Sequence, residues 1–327
     1  MLNWESRFYP FLKKNSLAPL VSIIIATYNR PKHLSKAIDS LLQQTMGDWE
    51  CLIIDDHSIP YDFNENKKIA RKDARIKLLR NNHKNKNGPS VCRNIGLKVA
   101  SGRYIQFFDD DDIMFPEMLE TKINFIQFDD LDVIISPLAF YDVQEQNITH
   151  QNKILSIKLI EDYILGKVSW YVSGPLWKRK FLKSKFDENI QTLDDWDFNL
   201  LNIYNNPKIN YLDKPLQYYN RYSLESTLST KKINRGSVQN NSLFFAYSKH
   251  LEILQKEKIL TPILAHRLIN LIIGTLRESL EERNENVLVI FKFIQKNSSL
   301  LKRGRYLKLY LGFYSYKIFG KGYRFIN

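Results

Sequence analysis

The stretch Tyr104-Ile105-Gln106-Phe107-Phe108-Asp109-Asp110-Asp111-Asp112 is an aromatic, apolar run that ends abruptly in four consecutive carboxylates. Short and bounded by Gly102, its apolar part predicts a buried strand. Pro116 and Glu117 then predict the opening of a helix. The carboxylates stand at the carboxyl end of a strand and before a helix, where open α/β sheets bind ligands. In extended geometry side chains alternate, so Asp109 and Asp111 are expected on one side and Asp110 and Asp112 on the other. Two hard carboxylates on one side suit Mg²⁺ or Mn²⁺, whose shell phosphate oxygens and water complete. A solvated acidic turn with Asp112 as helix cap is the plainer alternative. Four acids fused to a buried strand favour the metal site.

The segments before this run alternate between two periods. Val21-Ser22-Ile23-Ile24-Ile25-Ala26-Thr27 is β-branched and apolar, a buried strand broken by Tyr28-Asn29-Arg30-Pro31. Residues 32–44 place Leu34, Ala37, Ile38, Leu41 and Leu42 at helical spacing. A second strand, Glu50 to Ile54, ends in Asp55-Asp56-His57-Ser58. A polar helix over 64–74, a strand over 76–79 and a helix from Pro89 to Ala100 follow. This alternation predicts an α/β fold, Rossmann-like, with a mostly parallel sheet and helices on both faces. Beyond Glu120, strands are expected over 132–135, 139–141 and 217–222, and helices over 156–166 and from Asp194. Trp170 to Trp177 reads as a loop and strand lining a cleft. From residue 231 onward the periodicity is helical: 231–257, 261–281, 285–296 and 299–319.

Charge divides the chain. Residues 1–227 carry 30 Lys and Arg against 29 Asp and Glu, and residues 228–327 carry 18 against 6, so nearly all of the net +13 lies in the last third. The expected domains are an N-terminal extension (1–19), a neutral globular unit (20–227) and a basic helical region (228–327). Within the neutral unit the pattern changes after Glu120, which divides it into halves of about 20–120 and about 121–227. The isolated Cys51 and Cys92 read as small buried hydrophobes in a reducing compartment. No run approaches the roughly 20 apolar residues that span a bilayer. No secretory signal is visible at the N-terminus. The six histidines show no i,i+3 or i,i+4 pairing, which argues against a zinc site.

Taken together, Val21 to Asn29, Ile53 to Ser58, Gly88 to Gly96, Gly102 to Pro116 and Asp194-Asp195-Trp196-Asp197 resemble the family 2 glycosyltransferases with the GT-A fold. The resemblance implies transfer of a sugar from a nucleotide diphosphate sugar, UDP-linked by preference, to a polysaccharide or lipid-linked glycan acceptor, with inversion at the anomeric carbon. It assigns Asp109 and Asp111 to the metal, Mn²⁺ or Mg²⁺, and Asp110 to the ribose and metal. Asp56 falls to the nucleotide base, with Ala26 and Tyr28 packing on it. Arg93 would lie near the diphosphate or brace the aspartates. Asp195 would be the catalytic base, a carboxylate suited to taking the acceptor proton. The chain departs from the family at Asp110, usually small, at Asp194, usually Glu, and at Tyr222, often His.

The rival enzyme is a metal-dependent nucleotidyl or phosphoryl transferase, which needs the same carboxylates but not Asp195. The non-enzyme rival is a membrane or nucleic-acid binding protein on a degenerate transferase domain. The stretch 299–319 interleaves Lys and Arg with Tyr, Phe and Leu and holds no acid. That composition suits an anionic membrane surface, with Tyr306, Tyr310, Phe313 and Phe319 as inserting side chains. The alternative is a helix packed on the catalytic unit. Nucleic acid ranks last, because the aspartate clusters repel phosphate. The expected setting is cytoplasmic, peripheral on the inner face of the cell membrane.

Overall fold

Alternate residues of β1 (Val21–Thr27) serve two different cores. Ile24 joins Cys92 and Phe107 on one face of the sheet, while Ile23 and Ile25 join Leu34, Ala37, Ile38 and Leu41 on the other. The computed structural model, which describes residues 18–221 and 236–320, thus shows why the run is apolar throughout: helices cover both sides. The helix α1 (Pro31–Leu42) lies on the second face, and α3 (Pro89–Val99) crosses the first. At Gly96 a Cβ would stand 2.4 Å from Ile24 Cγ2, so glycine permits this close approach of α3 to β1.

The chain runs from β1 to β2 (Trp49–Asp55), through α2 (Pro60–Ala70) to β3 (Ile76–Arg80), then through α3 to β4 (Tyr104–Asp109). β1 pairs in parallel with both β2 and β4, and β2 with β3. The chain therefore moves outward on one side of β1 and returns to pair on the other. That reversal is a topological switch point, the crevice where doubly wound sheets hold ligands. Asp109 lies in register with Ala26 across it.

β6 (Val133–Ile135), β9 (Pro175–Lys178) and β10 (Ile209–Tyr211) complete a seven-stranded sheet of order β10-β6-β9-β4-β1-β2-β3, in which β9 is antiparallel to its neighbours. A second sheet of four strands follows the acid run: β5 (Ile113–Met114), β11 (Gln217–Arg221), β7 (Ala139–Asp142) and β8 (Asn147–Gln151), in that order. The helices α4 (Met118–Phe128), α5 (Leu159–Leu165) and α6 (Asp194–Ile203) lie between β5 and β11 in the chain. β5, β8 and β10 were not expected. β8 is exposed at every position and has no apolar period to betray it. α4 starts at Met118, two residues later than Pro116 suggests.

The last third is helical as expected, in α7 (Gly236–Lys256), α8 (Pro262–Glu281), α9 (Val287–Lys296) and α10 (Arg303–Phe319). Thr261 caps α8, accepting from Leu264 N at 3.4 Å, with Pro262 at the first helical position. One apolar cluster runs without a break from Ile24 and Phe107 through Leu268 and Ile272 to Phe313. The boundary expected near residue 227 and the departure at Tyr222 lie outside the described residues. Among the described residues no helix is long and apolar enough to cross a membrane.

Phe313 needs a correction. It is 1% exposed and stacks on Phe291 with centroids 3.7 Å apart, so it is a core residue and not one that inserts into lipid. Phe313→Ala is expected to cost about 3–5 kcal/mol, the usual range for an aromatic truncated in a core. A clear drop in denaturant midpoint at unchanged slope checks this; an unchanged midpoint would detach α10 from the core.

Candidate active site

β4 ends at Asp109, and residues 110–111 form a turn, which breaks the strict alternation expected for the four acids. Asp112 N donates back to Asp109 O at 3.4 Å. Asp110 and Asp111 consequently meet one cation: Arg30 Nη1 lies 3.5 Å from Asp110 and 3.0 Å from Asp111. Asp110 is buried and accepts from Thr27 Oγ1 at 2.7 Å, on the end of β1. Asp112 caps no helix. It is 1% exposed, accepting from Asn220 N and Ser173 Oγ, while Asn220 Nδ2 donates to Asp111 O at 2.6 Å. The acid run is thereby tied to β11 and to the 173 loop.

Arg93 joins this run to the second acid pair. Its guanidinium donates from Nη2 to Asp109 at 2.8 Å and from Nη1 to Asp194 at 2.6 Å, and it is 7% exposed. Asp194 and Asp195 open α6 directly after Leu193, whose φ of 66° is left-handed, a sparsely populated conformation for a branched residue. Asp195 Oδ1 accepts from Trp196 N at 2.7 Å. Burial, then the neighbouring charge of Asp194, pushes the Asp195 carboxyl up to about 7.

Asp110 is likewise raised to about 7, by burial and then Asp111, and Asp111 to about 6, by burial and then Asp109. Asp112 is driven well above the carboxylate range, chiefly by burial. Six carboxylates share two guanidiniums, and the raised values express burial first and that surplus of negative charge second. Among the described residues no three His, Cys, Asp or Glu side chains form a ready-made metal cage. Mg²⁺ and Mn²⁺ sites that share a phosphate need only one or two carboxylates. Arg93 engages Oδ1 of Asp109 and Arg30 engages Oδ2 of Asp111, and the charge of Asp109 is felt at Asp111, so two hard carboxylates stand close together. The donor set fits such a cation.

Ala26, Tyr28 and Asp56 lie at the carboxyl ends of β1 and β2. Asp56, just past β2, accepts from Asn81 Nδ2 at 2.9 Å and from Gly88 N at 2.7 Å. Tyr28 is 55% exposed at the mouth, and Ala26 is half-buried on β1. Asn29 and His57, with φ of 52° and 63°, turn the chain sharply after β1 and β2. Asn29 holds both turns together, donating from N to Ser58 Oγ and accepting from Ile59 N, each at 2.9 Å. Cys51 and Cys92 are both buried free thiols.

Several site residues were invisible to the sequence reading. Arg30 sits in a strand-ending turn whose position at the sheet's carboxyl edge was a usable signal. Ser242, Lys249 and His250 on α7 gave none. Ser242 Oγ accepts from Gln191 N and Thr192 N, both at 2.8 Å. Lys249 Nζ reaches Asp187 at 3.0 Å and Asp197 at 2.8 Å. His250 Nε2 lies 3.0 Å from the fully buried Asp197, and its Nδ1 lies 2.9 Å from Tyr204 OH. These contacts grip the strap from residue 187 to the start of α6 on both sides of Asp195.

A mostly parallel sheet with carboxylates at its switch point, facing a second acid pair at a helix start, is a GT-A architecture. The description "Glycosyl transferase family 2" matches residues 22–195, more than half of the chain, and the chain belongs to that family of glycosyltransferases. An uncharacterized glycosyltransferase of Bacillus subtilis, EpsJ, is 29% identical over 216 residues, covering 62% of this chain and 61% of its own length. The Escherichia coli enzyme WfgD, a UDP-Glc:α-D-GlcNAc-diphosphoundecaprenol β-1,3-glucosyltransferase, is 44% identical over 105 residues, covering 32% of this chain and 40% of its own. The chain thus spans less than two thirds of these relatives. Among solved structures, Staphylococcus aureus TarS (residues 1–349) with UDP-GlcNAc superposes with a TM-score of 0.62 at 20% identity, over 94% of this chain and 89% of that one. At that identity the likeness speaks to the fold.

The charge surplus yields a stability prediction. A carboxyl raised from 3.8 to about 6 binds more protons folded than unfolded between those values. Its ionisation therefore lowers stability as pH rises through that window. Asp111→Asn removes the effect, so it is expected to raise Tm by a few degrees at pH 7.5 and by little at pH 4. Thermal melts at the two pH values decide; a loss of Tm at pH 7.5 would mean that Asp111 stabilises the fold through Arg30.

Proposed function

We propose that the enzyme moves a hexose from a nucleotide diphosphate sugar, UDP-linked by preference, to a hydroxyl of a polysaccharide or lipid-linked glycan by direct displacement with inversion. The carrying observation is the Arg93 fork. It holds Asp109 of the leaving-group side and Asp194, next to the base, 2.8 and 2.6 Å from one guanidinium. Donor and acceptor chemistry then share one cleft. The names of the relatives support the donor and acceptor classes: WfgD takes UDP-Glc and a diphosphoundecaprenol-linked sugar, and TarS holds UDP-GlcNAc.

In this reading Asp56 hydrogen-bonds the nucleotide base, and Ala26 and Tyr28 pack on it. Asp110 lies by the ribose. Asp109 and Asp111 hold Mn²⁺ or Mg²⁺, which when bound neutralises charge on the diphosphate leaving group. An archaeal mannosyltransferase of the same fold, from Pyrobaculum calidifontis, is known with GDP-Man and Mn²⁺ at a TM-score of 0.53. Arg93 orients Asp109 and Asp194 from behind. Asp195 takes the proton of the acceptor hydroxyl as that oxygen attacks the anomeric carbon. Its raised pKa suits this task, since a base near neutrality is ionised yet still basic. A lipid-linked acceptor and the basic last third support a cytoplasmic, peripheral place at the inner membrane face.

Two measurements test the reading. Transfer or donor hydrolysis should rise with pH to a plateau above about pH 7, and Asp195→Asn should lower it by roughly 10²–10⁴ with UDP affinity intact. Near wild-type turnover in Asp195→Asn would place the base elsewhere. Calorimetry with UDP should show at least tenfold weaker binding in EDTA than in Mn²⁺. Equal affinity would remove the metal from Asp109 and Asp111.

A further inference from the structure

We infer that α10 docks on an anionic bilayer through one face, formed by Leu307, Leu311, Tyr314, Ile318 and Phe319. These side chains are 55%, 59%, 38%, 67% and 71% exposed. At 3.6 residues per turn the first four fall within about 60° of arc, a continuous stripe along the helix. The opposite face, Leu309, Gly312 and Phe313, is buried in the core, with Phe313 against Phe291. Tyr316 OH donates to Leu280 O at 3.1 Å and fixes the helix about its own axis. α10 therefore has two apolar faces, one covered by protein and one open.

Charge selects what covers the open face. Arg303, Lys308 and Lys317 are exposed, Lys308 to one side of the stripe and Arg303 and Lys317 to the other. No Asp or Glu occurs after Glu285. A second copy laid on the stripe would set cation against cation, which costs affinity. Single-stranded nucleic acid binds by stacking on aromatic faces, and this stripe is mostly aliphatic. An anionic lipid surface satisfies both features: phosphates meet the flanking cations, and the stripe enters the boundary between headgroups and acyl chains. Of the side chains expected from sequence, Phe319 stays on the open face and the other three do not. Phe313 is inside and Tyr306 and Tyr310 are half-covered, so the contact falls to Leu307, Leu311 and Ile318.

The inference takes the partner's chemistry from the proposed peripheral setting, and its test reads binding, not sugar transfer, so each can fail alone. The full chain is sedimented with vesicles of mixed phosphatidylglycerol and phosphatidylcholine, and with phosphatidylcholine alone. Binding is expected to the mixed vesicles only, and to weaken at least tenfold in high salt. Leu311→Glu with Ile318→Glu should abolish it, and Leu311→Ser with Ile318→Ser should weaken it several-fold, both with unchanged melting temperature. Three results would overturn the assignment: no binding by the wild-type chain, binding that survives Leu311→Glu with Ile318→Glu, or a concentration-dependent dimer that this double variant abolishes.

Discussion

A single guanidinium ties together the two acid clusters of the candidate site. Arg93 is buried, carries one charge and splits it between Asp109 on β4 and Asp194 on α6. A planar fork with donors in fixed directions can do this; a lysine ammonium has no such geometry. The face of Phe186 lies 5.4 Å beneath the guanidinium carbon. The next residue, Asn94, pairs with the backbone of Phe186 in both directions, at 2.9 and 3.0 Å. Two consecutive residues of α3 thus fix the strap that leads to Asp195. Breaking a buried pair of this kind leaves an uncompensated charge and is strongly destabilising, so the contact must be met before the site can form.

The rest of the cleft is arranged to hold more negative charge than the protein neutralises. Asp110, Asp111 and Asp195 all have raised carboxyl values, and each is raised first by burial. Leu193, Asn29 and His57 add left-handed backbone at the rims of the same cleft. Neither feature helps folding. Both are held in place by packing elsewhere: two apolar cores sandwich the sheet, and the network of Ser173, Gln217 and Asn220 locks the acid run from behind.

The centre of the sheet was legible because its strands are buried on both faces, so Val21 to Thr27 and Tyr104 to Phe108 read as unbroken apolar runs. The helices after Pro31, Pro60 and Pro89 carry proline at the first helical position. What escaped notice had no local period. β8 is fully exposed, β5 is two residues long, and the turn at 110–111 hides inside four identical letters. The site was legible as carboxylates in a family pattern, not as a geometry. Arg30 and Asp111 lie 81 positions apart, and although both follow a strand's carboxyl end, their contact was not legible. α10 was legible as a helix, but apolar residues on both of its sides left open which side the core covers.

The grip of α7 on the strap before α6 has a consequence for how this enzyme can change. The stretch recognised as a transferase stops at Asp195, but Ser242, Lys249 and His250 hold that aspartate's surroundings from beyond it. The two portions are therefore not free to drift apart. A substitution at Asp187 or Asp197 alters what α7 must supply, and an exchange of the helical portion between related enzymes would import a clamp cut for a different strap. Chimeras joined between β11 and α7 should work only where those three side chains and their partners travel together, so the inheritable unit of this catalyst is longer than the one similarity outlines.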